Sequence, residues 1–173
     1  EVAAACAEEA ASSDEVCSAA NSNSPEQTVI AGTAGAVSRV GNVLLSRGAK
    51  RVLPLPVSAP FHCALMKPAE ERLAPFLAGA RFERLSIPVV TNVDADLNVD
   101  PERARSCLLR QVCSPVRWVE SVERLSAQAP SAIEVGPGAV LAGLCKRIAR
   151  DWPVFTTSNV KGIEKLLSEL PKS

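Results

Sequence analysis

Short apolar segments alternate with helix-forming segments over the second part of this chain. The runs at 87–95 and 132–135 are apolar but too short for a helix, and each precedes a segment with helical character. A strand that is buried on both faces has this composition, and such strands are typical of parallel sheets covered by helices. The alternation therefore predicts an α/β fold built around a parallel sheet.

Other patterns add further elements to this part. We predict helices over 65–80, from Pro101 onward, over 139–150 and over 160–170, and a last strand over 153–158. One more amphipathic stripe predicts a helix through Val112, Val116, Val119, Val122 and Leu125.

The first part of the chain predicts a smaller lobe. Residues 1–11 are rich in alanine and glutamate and favour a helix, and two strand-like runs flank turn-forming residues at 21–25. An amphipathic helix that ends near Gly48 and a strand-like run at 50–57 follow. The order helix, strand, strand, helix, strand is that of a split β-α-β lobe without its first strand.

Composition limits the function. The 19 Lys and Arg residues balance 19 Asp and Glu residues, which argues against a nucleic-acid-binding surface. No apolar run reaches the roughly 18 to 20 residues needed to cross a bilayer, so we expect no membrane contact. The six cysteines form no C-x-x-C pair and have no accompanying histidines, which predicts reduced, mostly buried thiols and no metal site. Because the chain starts with Glu1 and its only methionine is Met66, we expect a longer parent polypeptide.

The only histidine of the chain, His62, lies where a strand-like run gives way to a helical pattern. Histidine is the usual general base near neutral pH, and active-site residues of α/β proteins gather at strand ends. A structural histidine with a satisfied hydrogen bond is the alternative. The adjacent Cys63 is expected to point to the opposite side and to join the core. No G-x-S-x-G segment occurs, so either His62 is not catalytic or its nucleophile lies upstream.

Two other features have a structural and a functional interpretation. The segment 134–138, EVGPG, precedes a helix and could present backbone N–H groups to an anion, but Leu141 replaces the third glycine of a dinucleotide motif, which favours a plain turn. The basic residues form either a solvated face or a surface for an acidic partner, and they are Arg47, Lys50, Arg51, Lys146, Arg147 and Arg150.

Five segments, in order and covering nearly the whole chain, resemble one known family. They are NSNSPEQTVIAG (21–32), GAKRVLPLPVSAPFHCALMKPA (48–69), IPVVTNVDA (87–95), LLRQVCSPVRWVESVE (108–123) and EVGPGAVLAGLCKRI (134–148). This chain is similar to the malonyl-CoA:acyl carrier protein transacylases and, more broadly, to the acyltransferase domains of fatty acid and polyketide synthases.

The resemblance implies a fold and a reaction. The fold would be the C-terminal part of an α/β-hydrolase-like core over 58–173, with most of an inserted ferredoxin-like subdomain over 1–57. The reaction would be a ping-pong transfer of malonyl from malonyl-CoA, through a serine ester, to the phosphopantetheine thiol of acyl carrier protein. Coenzyme A and phosphopantetheine would enter as substrate carriers, with no resident cofactor.

The resemblance also implies roles for individual residues. His62 would be the catalytic base, and the backbone carbonyl of Gln111 would accept its second N–H. Phe61 would narrow the acyl pocket against an α-methyl branch, and Asn23 and Asn92 would line the site.

Several parts of the family's site are not in this sequence. Its G-H-S-x-G elbow, the glutamine of its oxyanion loop and its malonyl-binding arginine would lie upstream of Glu1. The chain alone should then be inactive, should expose an apolar sheet edge, and should need the N-terminal portion of the same enzyme as a partner. A non-catalytic remnant that binds carrier protein, or a fragment of a polyketide synthase, is the alternative. The family implies the bacterial cytoplasm or a plastid-type organelle.

Overall fold

A computed structural model describes residues 1–169 of the chain. Helices alternate with short strands along it. In chain order the elements are α1 (Val2–Ser12), β1 (Cys17–Ser24), β2 (Gln27–Gly32), α2 (Ala34–Ser46), α3 (Lys67–Gly79), β3 (Val89–Val90), β4 (Leu97–Asn98), α4 (Pro101–Arg110), α5 (Trp118–Ser126), β5 (Ala132–Glu134), α6 (Val140–Ile148), β6 (Val154–Thr156) and α7 (Val160–Glu169). The predicted end of the last helix at residue 170 lies outside the described residues.

The strands form three separate pairs. β1 and β2 are an antiparallel hairpin, β3 and β4 are a second antiparallel pair, and β5 and β6 are parallel. Val116 extends the first pair through a parallel bridge to Asn21, with its N–H donating to the carbonyl of Ala20 at 2.8 Å. The α/β class is confirmed, although the parallel sheet predicted for the second part is reduced here to one two-stranded pair.

The core lies where the first two helices cover the β1–β2 hairpin. Its buried residues come from α1, β1 and α2, and they are Ala5, Cys6, Cys17, Ala36, Val40 and Leu44. A second buried cluster joins Cys63 to Ala20 of β1 and Ala31 of β2. Cys63 is therefore a core residue as predicted, and it fixes the neighbouring segment to the hairpin.

The predicted strand at 50–57 is wrong. The structure has no strand there, and the side chains of Leu53, Leu55 and Val57 are exposed. Pro54 and Pro56 have no N–H to give to a sheet, and no neighbouring strand lies alongside among the described residues. The order of the first lobe is thus helix, strand, strand, helix, and the boundary at residue 57 stays a prediction.

The predicted turn at 21–25 is also displaced. β1 continues to Ser24, and the hairpin turns at Pro25 and Glu26. Polar residues remain in this strand because the bridge to Val116 pairs it on its second edge. The register shifts between Ala19 and Asn21 and again between Ser22 and Ser24, as β-bulges do.

Two apolar runs are less buried than predicted. In 87–95 only β3 is a strand, Ile87 is 76% exposed, and the chain turns back immediately to form β4. In 132–135 the strand is β5, and Val135 is 83% exposed. Burial on both faces needs covering layers, and the described residues supply β5 with one strand neighbour only.

The helix predicted from the amphipathic stripe at 112–125 is only partly correct. Val119, Val122 and Leu125 lie in α5, but Val112 and Val116 precede it. Pro115 disfavours a helical conformation at the residue before it, so the helix begins only at Trp118.

Ala95 offers a test of the β3–β4 turn. Its φ is +51°, a left-handed value that costs an alanine about 1 kcal/mol and glycine almost nothing. We expect Ala95→Gly to raise the free energy of unfolding by about 0.5–1 kcal/mol in urea denaturation. The matched change Ala104→Gly, inside α4, should lower it by about 1 kcal/mol, and an equal loss at both positions would contradict the assigned turn.

Candidate active site

His62 lies in a strained backbone conformation. Its φ is +63°, in the left-handed region that residues other than glycine rarely adopt at a cost of about 1–2 kcal/mol. The surrounding segment holds it there, because Cys63 is buried against the hairpin and its thiol donates to the carbonyl of Pro60 at 3.1 Å. Such strain is concentrated at functional sites, where the surrounding structure enforces it.

The ring of His62 meets the main chain of Gln111. Nδ1 of His62 lies 2.9 Å from the carbonyl oxygen of Gln111, across 49 positions in sequence. Gln111 is the C-cap of α4, where the last carbonyls of a helix have no partner within it, so this oxygen is available to another group. A carbonyl only accepts, so Nδ1 carries the proton of the neutral ring and Nε2 is its unprotonated nitrogen. The half-buried ring therefore presents a proton-accepting nitrogen on its other side.

Asn92 reaches the same residue through its side chain. Its Nδ2 donates to Oε1 of Gln111 at 3.3 Å, and its carbonyl accepts the N–H of Arg117 at 3.0 Å. The structure thus brings together three of the five residues that the resemblance pointed to: His62, Gln111 and Asn92.

The other two predicted site residues are placed less closely. Phe61, next to His62 in sequence, is 49% exposed. Asn23 lies in β1 at the second register shift, and its side chain forms no hydrogen bond with another described residue. Their roles in acyl selection and site lining stay predictions.

One acidic residue of this region was missed by the sequence analysis. Asp94, in the β3–β4 turn, accepts hydrogen bonds from three side chains of α4: Arg103, Cys107 and Arg110. The hydrogen bond from Arg110 is the main cause that holds the pKa of this carboxyl below its usual range. The spacing of the two arginines at seven residues along one helix was a signal that they share a face, but it did not name their partner.

The thiols are poor candidates for a nucleophile. Five of the six cysteines are buried, and none of the six forms a disulfide. Burial is the main cause that raises the pKa of Cys113 to about 11 and that of Cys17 to about 12. The thiolate is the reactive form, so these two side chains stay protonated and unreactive at neutral pH.

In the EVGPG segment, the carboxylate of its first residue binds the backbone N–H groups at the start of the following helix. Gly136 and Gly138 have φ values of +129° and +86° and make the tight turn that the sequence favoured. The carboxylate of Glu134 folds back and accepts the N–H groups of Leu141 and Ala142 at 3.0 and 2.8 Å. Two of the N–H groups at the start of α6 are therefore already satisfied, which favours the plain-turn interpretation.

This cap can be measured. Glu134→Ala should lower the free energy of unfolding by about 1 kcal/mol, because two N–H groups at the start of α6 lose their acceptor. Glu134→Gln keeps one side-chain oxygen and should recover part of the loss in the same urea titration. Equal stability of all three proteins would show that the cap contributes nothing.

The basic residues do not form one uniform set. Arg47 pairs with Glu8 at 2.6 Å, whereas Lys146 and Arg150 line an open cavity of about 350 Å³ beside Trp152 and Val154. Over residues 1–169 no cluster of three or more His, Cys, Asp or Glu side chains is arranged to hold a metal ion. Over the same residues no helix has the length and apolar character needed to cross a membrane.

Known proteins are similar to this chain in sequence. The chain is 51% identical over 148 residues to a malonyl CoA-acyl carrier protein transacylase of Salmonella typhimurium, a match that covers 85% of this chain and 47% of that protein. A protein of the same name from Bacillus subtilis is 40% identical over 152 residues, covering 87% of this chain and 48% of its own. No family model matches the chain.

Solved structures share the fold. An acyl-carrier-protein S-malonyltransferase from Burkholderia pseudomallei superposes with a TM-score of 0.91 at 42% identity, covering 96% of this chain and 54% of that one. A chain of the complex between a type II PKS acyl-carrier protein and its malonyl-transacylase gives a TM-score of 0.92 at 42% identity, covering 98% and 54%.

The fold of this chain, in which a main-chain carbonyl holds a histidine, is the α/β fold of a solved S-malonyltransferase. More narrowly, the chain resembles the C-terminal portion of the malonyl CoA-acyl carrier protein transacylases. It spans about half the length of the curated relatives that it matches.

Proposed function

We propose that this chain supplies the general base of a transacylase that moves malonyl from malonyl-CoA to acyl carrier protein. The contact between Nδ1 of His62 and the Gln111 carbonyl carries the proposal, because it leaves Nε2 able to accept a proton. The names of the relatives supply the reaction and its two substrates.

The histidine would act twice in each half-reaction. Nε2 takes the proton of a serine hydroxyl as the serine oxygen attacks the thioester carbonyl, and it returns that proton to the coenzyme A sulfur as the C–S bond breaks. In the second half, Nε2 takes the proton of the phosphopantetheine thiol, which attacks the serine ester, and gives it back to the serine oxygen. The Gln111 carbonyl stabilises the imidazolium formed at each step.

The nucleophile would come from outside these 173 residues. No G-x-S-x-G segment occurs in the sequence, and the thiols of Cys17 and Cys113 stay protonated at neutral pH. The exposed apolar side chains at 53–57 and Val135 favour the same interpretation, since a larger protein would cover them. The proposal requires no metal or resident cofactor, because coenzyme A and phosphopantetheine act as carriers of the acyl group.

Selectivity for malonyl would depend partly on Phe61. Phe61 directly precedes the base in sequence, and its ring would leave little room for an α-methyl branch. A single methyl group in a pocket is discriminated by about 1–3 kcal/mol, so this preference would be moderate. Asn92 would support the same wall through its bond to Gln111.

Acyl carrier protein is the proposed protein partner. One of the similar structures is a complex of a malonyl-transacylase with such a carrier. On this chain the exposed Lys146, Arg147 and Arg150 of the α6 region would suit an acidic partner, and none of them forms an ion pair within residues 1–169. We propose the bacterial cytoplasm as the compartment, because the named relatives are bacterial and reduced thiols suit it, with a plastid-type organelle as the alternative.

A two-stage assay tests the proposal. The longer polypeptide that carries this sequence is mixed with malonyl-CoA alone, and coenzyme A release is followed by a thiol reagent. We expect a burst of about one equivalent per site, a malonyl ester on a serine, and transfer to carrier protein added afterwards. Release that begins only when both substrates are present would contradict the ping-pong route, and salt-sensitive binding of carrier protein without any transfer would favour the non-catalytic alternative.

A further inference from the structure

We propose that Asp94 is a positioning residue, whose carboxylate fixes the C-terminal end of α4 and thereby aims the Gln111 carbonyl at His62. The inference rests on the proposed function, because it gives Asp94 a task in orienting the base. It concerns a residue of the β3–β4 turn that does not touch the histidine itself.

One carboxylate binds three successive turns of the helix. Oδ2 of Asp94 accepts from Nε and Nη2 of Arg103 at 3.2 and 3.1 Å and from the thiol of Cys107 at 3.3 Å, while Oδ1 accepts from Nη2 of Arg110 at 2.9 Å. These positions are spaced four and three residues apart, so they share one face of α4. Arg110 is the last residue of the helix and directly precedes Gln111.

The turn that carries Asp94 is itself tied to the site. Nη1 of Arg117 donates to the carbonyl of Asp94 at 3.1 Å, and the N–H of Arg117 donates to the carbonyl of Asn92 at 3.0 Å. Asn92 in turn contacts the Gln111 side chain. Gln111 is therefore held from two directions by the same turn: along the helix through Arg110, and sideways through Asn92.

A charged oxygen is needed for this arrangement. The Asp94 side chain is 21% exposed, and its two oxygens accept four hydrogen bonds from three side chains. An asparagine would replace one of these oxygens with an NH₂ group that faces N–H donors, and the arginines would lose a full negative charge. Single surface ion pairs stabilise little, but here one carboxylate orders both arginines together.

The distance from helix end to ring makes the site sensitive to this anchor. The His62 to Gln111 hydrogen bond is 2.9 Å long and weakens steeply as its angle and length change. If the last turn of α4 shifts, Nδ1 loses its acceptor and the ring can carry its proton on either nitrogen. The fraction of rings with Nε2 unprotonated then falls, which lowers the rate of proton acceptance.

Asp96 provides a matched control in the same turn. It pairs with Arg103 at 3.5 Å and with Arg124 at 3.1 Å, but it contacts neither Cys107 nor Arg110. Asp96→Asn thus removes the same charge from the same turn and leaves the link to the helix end in place.

The single histidine allows a direct test on the full chain. ¹⁵N–¹H spectra of the imidazole, recorded where the ring is neutral, give the ratio of the Nδ1–H to the Nε2–H tautomer. We expect Asp94→Asn to lower this ratio at least fivefold and Asp96→Asn to leave it within twofold of the wild type. In the transfer assay of the longer polypeptide, Asp94→Asn should lower kcat with little change in KM.

The possible outcomes test the role of Asp94 separately from the assignment of His62 as the base. Equal tautomer ratios in the wild type and Asp94→Asn, or equal losses in Asp94→Asn and Asp96→Asn, would overturn the role of Asp94 while leaving His62 as the base. A wild-type ring protonated on Nε2 would instead contradict the base assignment itself. If Asp94→Asn fails to fold by circular dichroism, Arg110→Gln cuts only the link to the helix end and should still lower the ratio at least twofold, and an unchanged ratio there would overturn the inference.

Discussion

Replacing His62 with alanine in the longer polypeptide that carries this chain is expected to reduce malonyl transfer by at least about 100-fold. The serine hydroxyl then has no acceptor for its proton, and the leaving sulfur has no donor. The Gln111 carbonyl cannot take over this task, because it accepts hydrogen bonds but does not exchange protons. Transfer of labelled malonyl from malonyl-CoA to carrier protein gives kcat/KM for each variant.

The loss must be specific to the ring. Arg81→Ala serves as the control, since the Arg81 side chain is 87% exposed and, within residues 1–169, pairs only with Glu83. That variant should keep its activity within twofold of the wild type. A loss smaller than tenfold in His62→Ala, with both proteins folded, would make the general-base assignment wrong.

The second large effect is on stability, and it concerns Gly32 at the end of β2. A Cβ on this residue would lie 2.0 Å from the carbonyl oxygen of Val16 and 2.8 Å from the Cα of Cys17, so the main chain itself must move. The N–H of Thr33 donates to the same Val16 oxygen at 2.9 Å, which leaves little freedom to separate the two segments. We expect Gly32→Ala to lower the free energy of unfolding by about 3 kcal/mol or more.

A glycine-to-alanine change at another position should instead raise the free energy of unfolding. A Cβ on Gly143, inside α6, would meet no atom of the described residues within 4 Å, apart from its chain neighbours and the backbone of its own helix. Alanine is the better helix former, so Gly143→Ala should raise the free energy of unfolding by about 0.5–1 kcal/mol. Urea titrations of the two variants side by side measure both effects. A Gly32→Ala protein within 1 kcal/mol of the wild type would contradict the close approach of β2 to residue 16.

The helices were predictable because their signals are local. Pro101 marked the start of α4, and the Asp100 side chain caps it by accepting the N–H of Arg103 at 2.9 Å. The helix predicted to end near Gly48 ends at Ser46, and the helix predicted to start at residue 160 begins at Val160.

Strands were harder because a strand depends on a neighbour that its own residues do not specify. The run at 50–57 has strand-like residues but two prolines and no partner within residues 1–169, and it stays irregular. The polar residues after Asn21 look like a turn, yet they remain in β1 because Val116 pairs with that strand from a distant part of the chain. The prediction for 87–95 failed for the same reason: among the described residues only β4 pairs with this run, and Ile87 and Val89 stay exposed.

The candidate site shows the same division. The position of His62 in the sequence did not decide between a general base and a structural histidine. The family resemblance supplied its pairing with Gln111. No side-chain pattern could reveal that pairing, because any residue has a carbonyl and only the end of α4 makes this one available. Asp94 was missed because its three donors lie on another element and converge only in the folded protein.

The nitrogen that carries the proton in the wild-type ring is the most direct test of this account. A ¹⁵N spectrum of the neutral imidazole of His62, the single histidine of the chain, identifies it without interference from other residues. The account predicts protonated Nδ1 and unprotonated Nε2. A ring that is mainly protonated on Nε2 would show that the Gln111 carbonyl does not orient a base here.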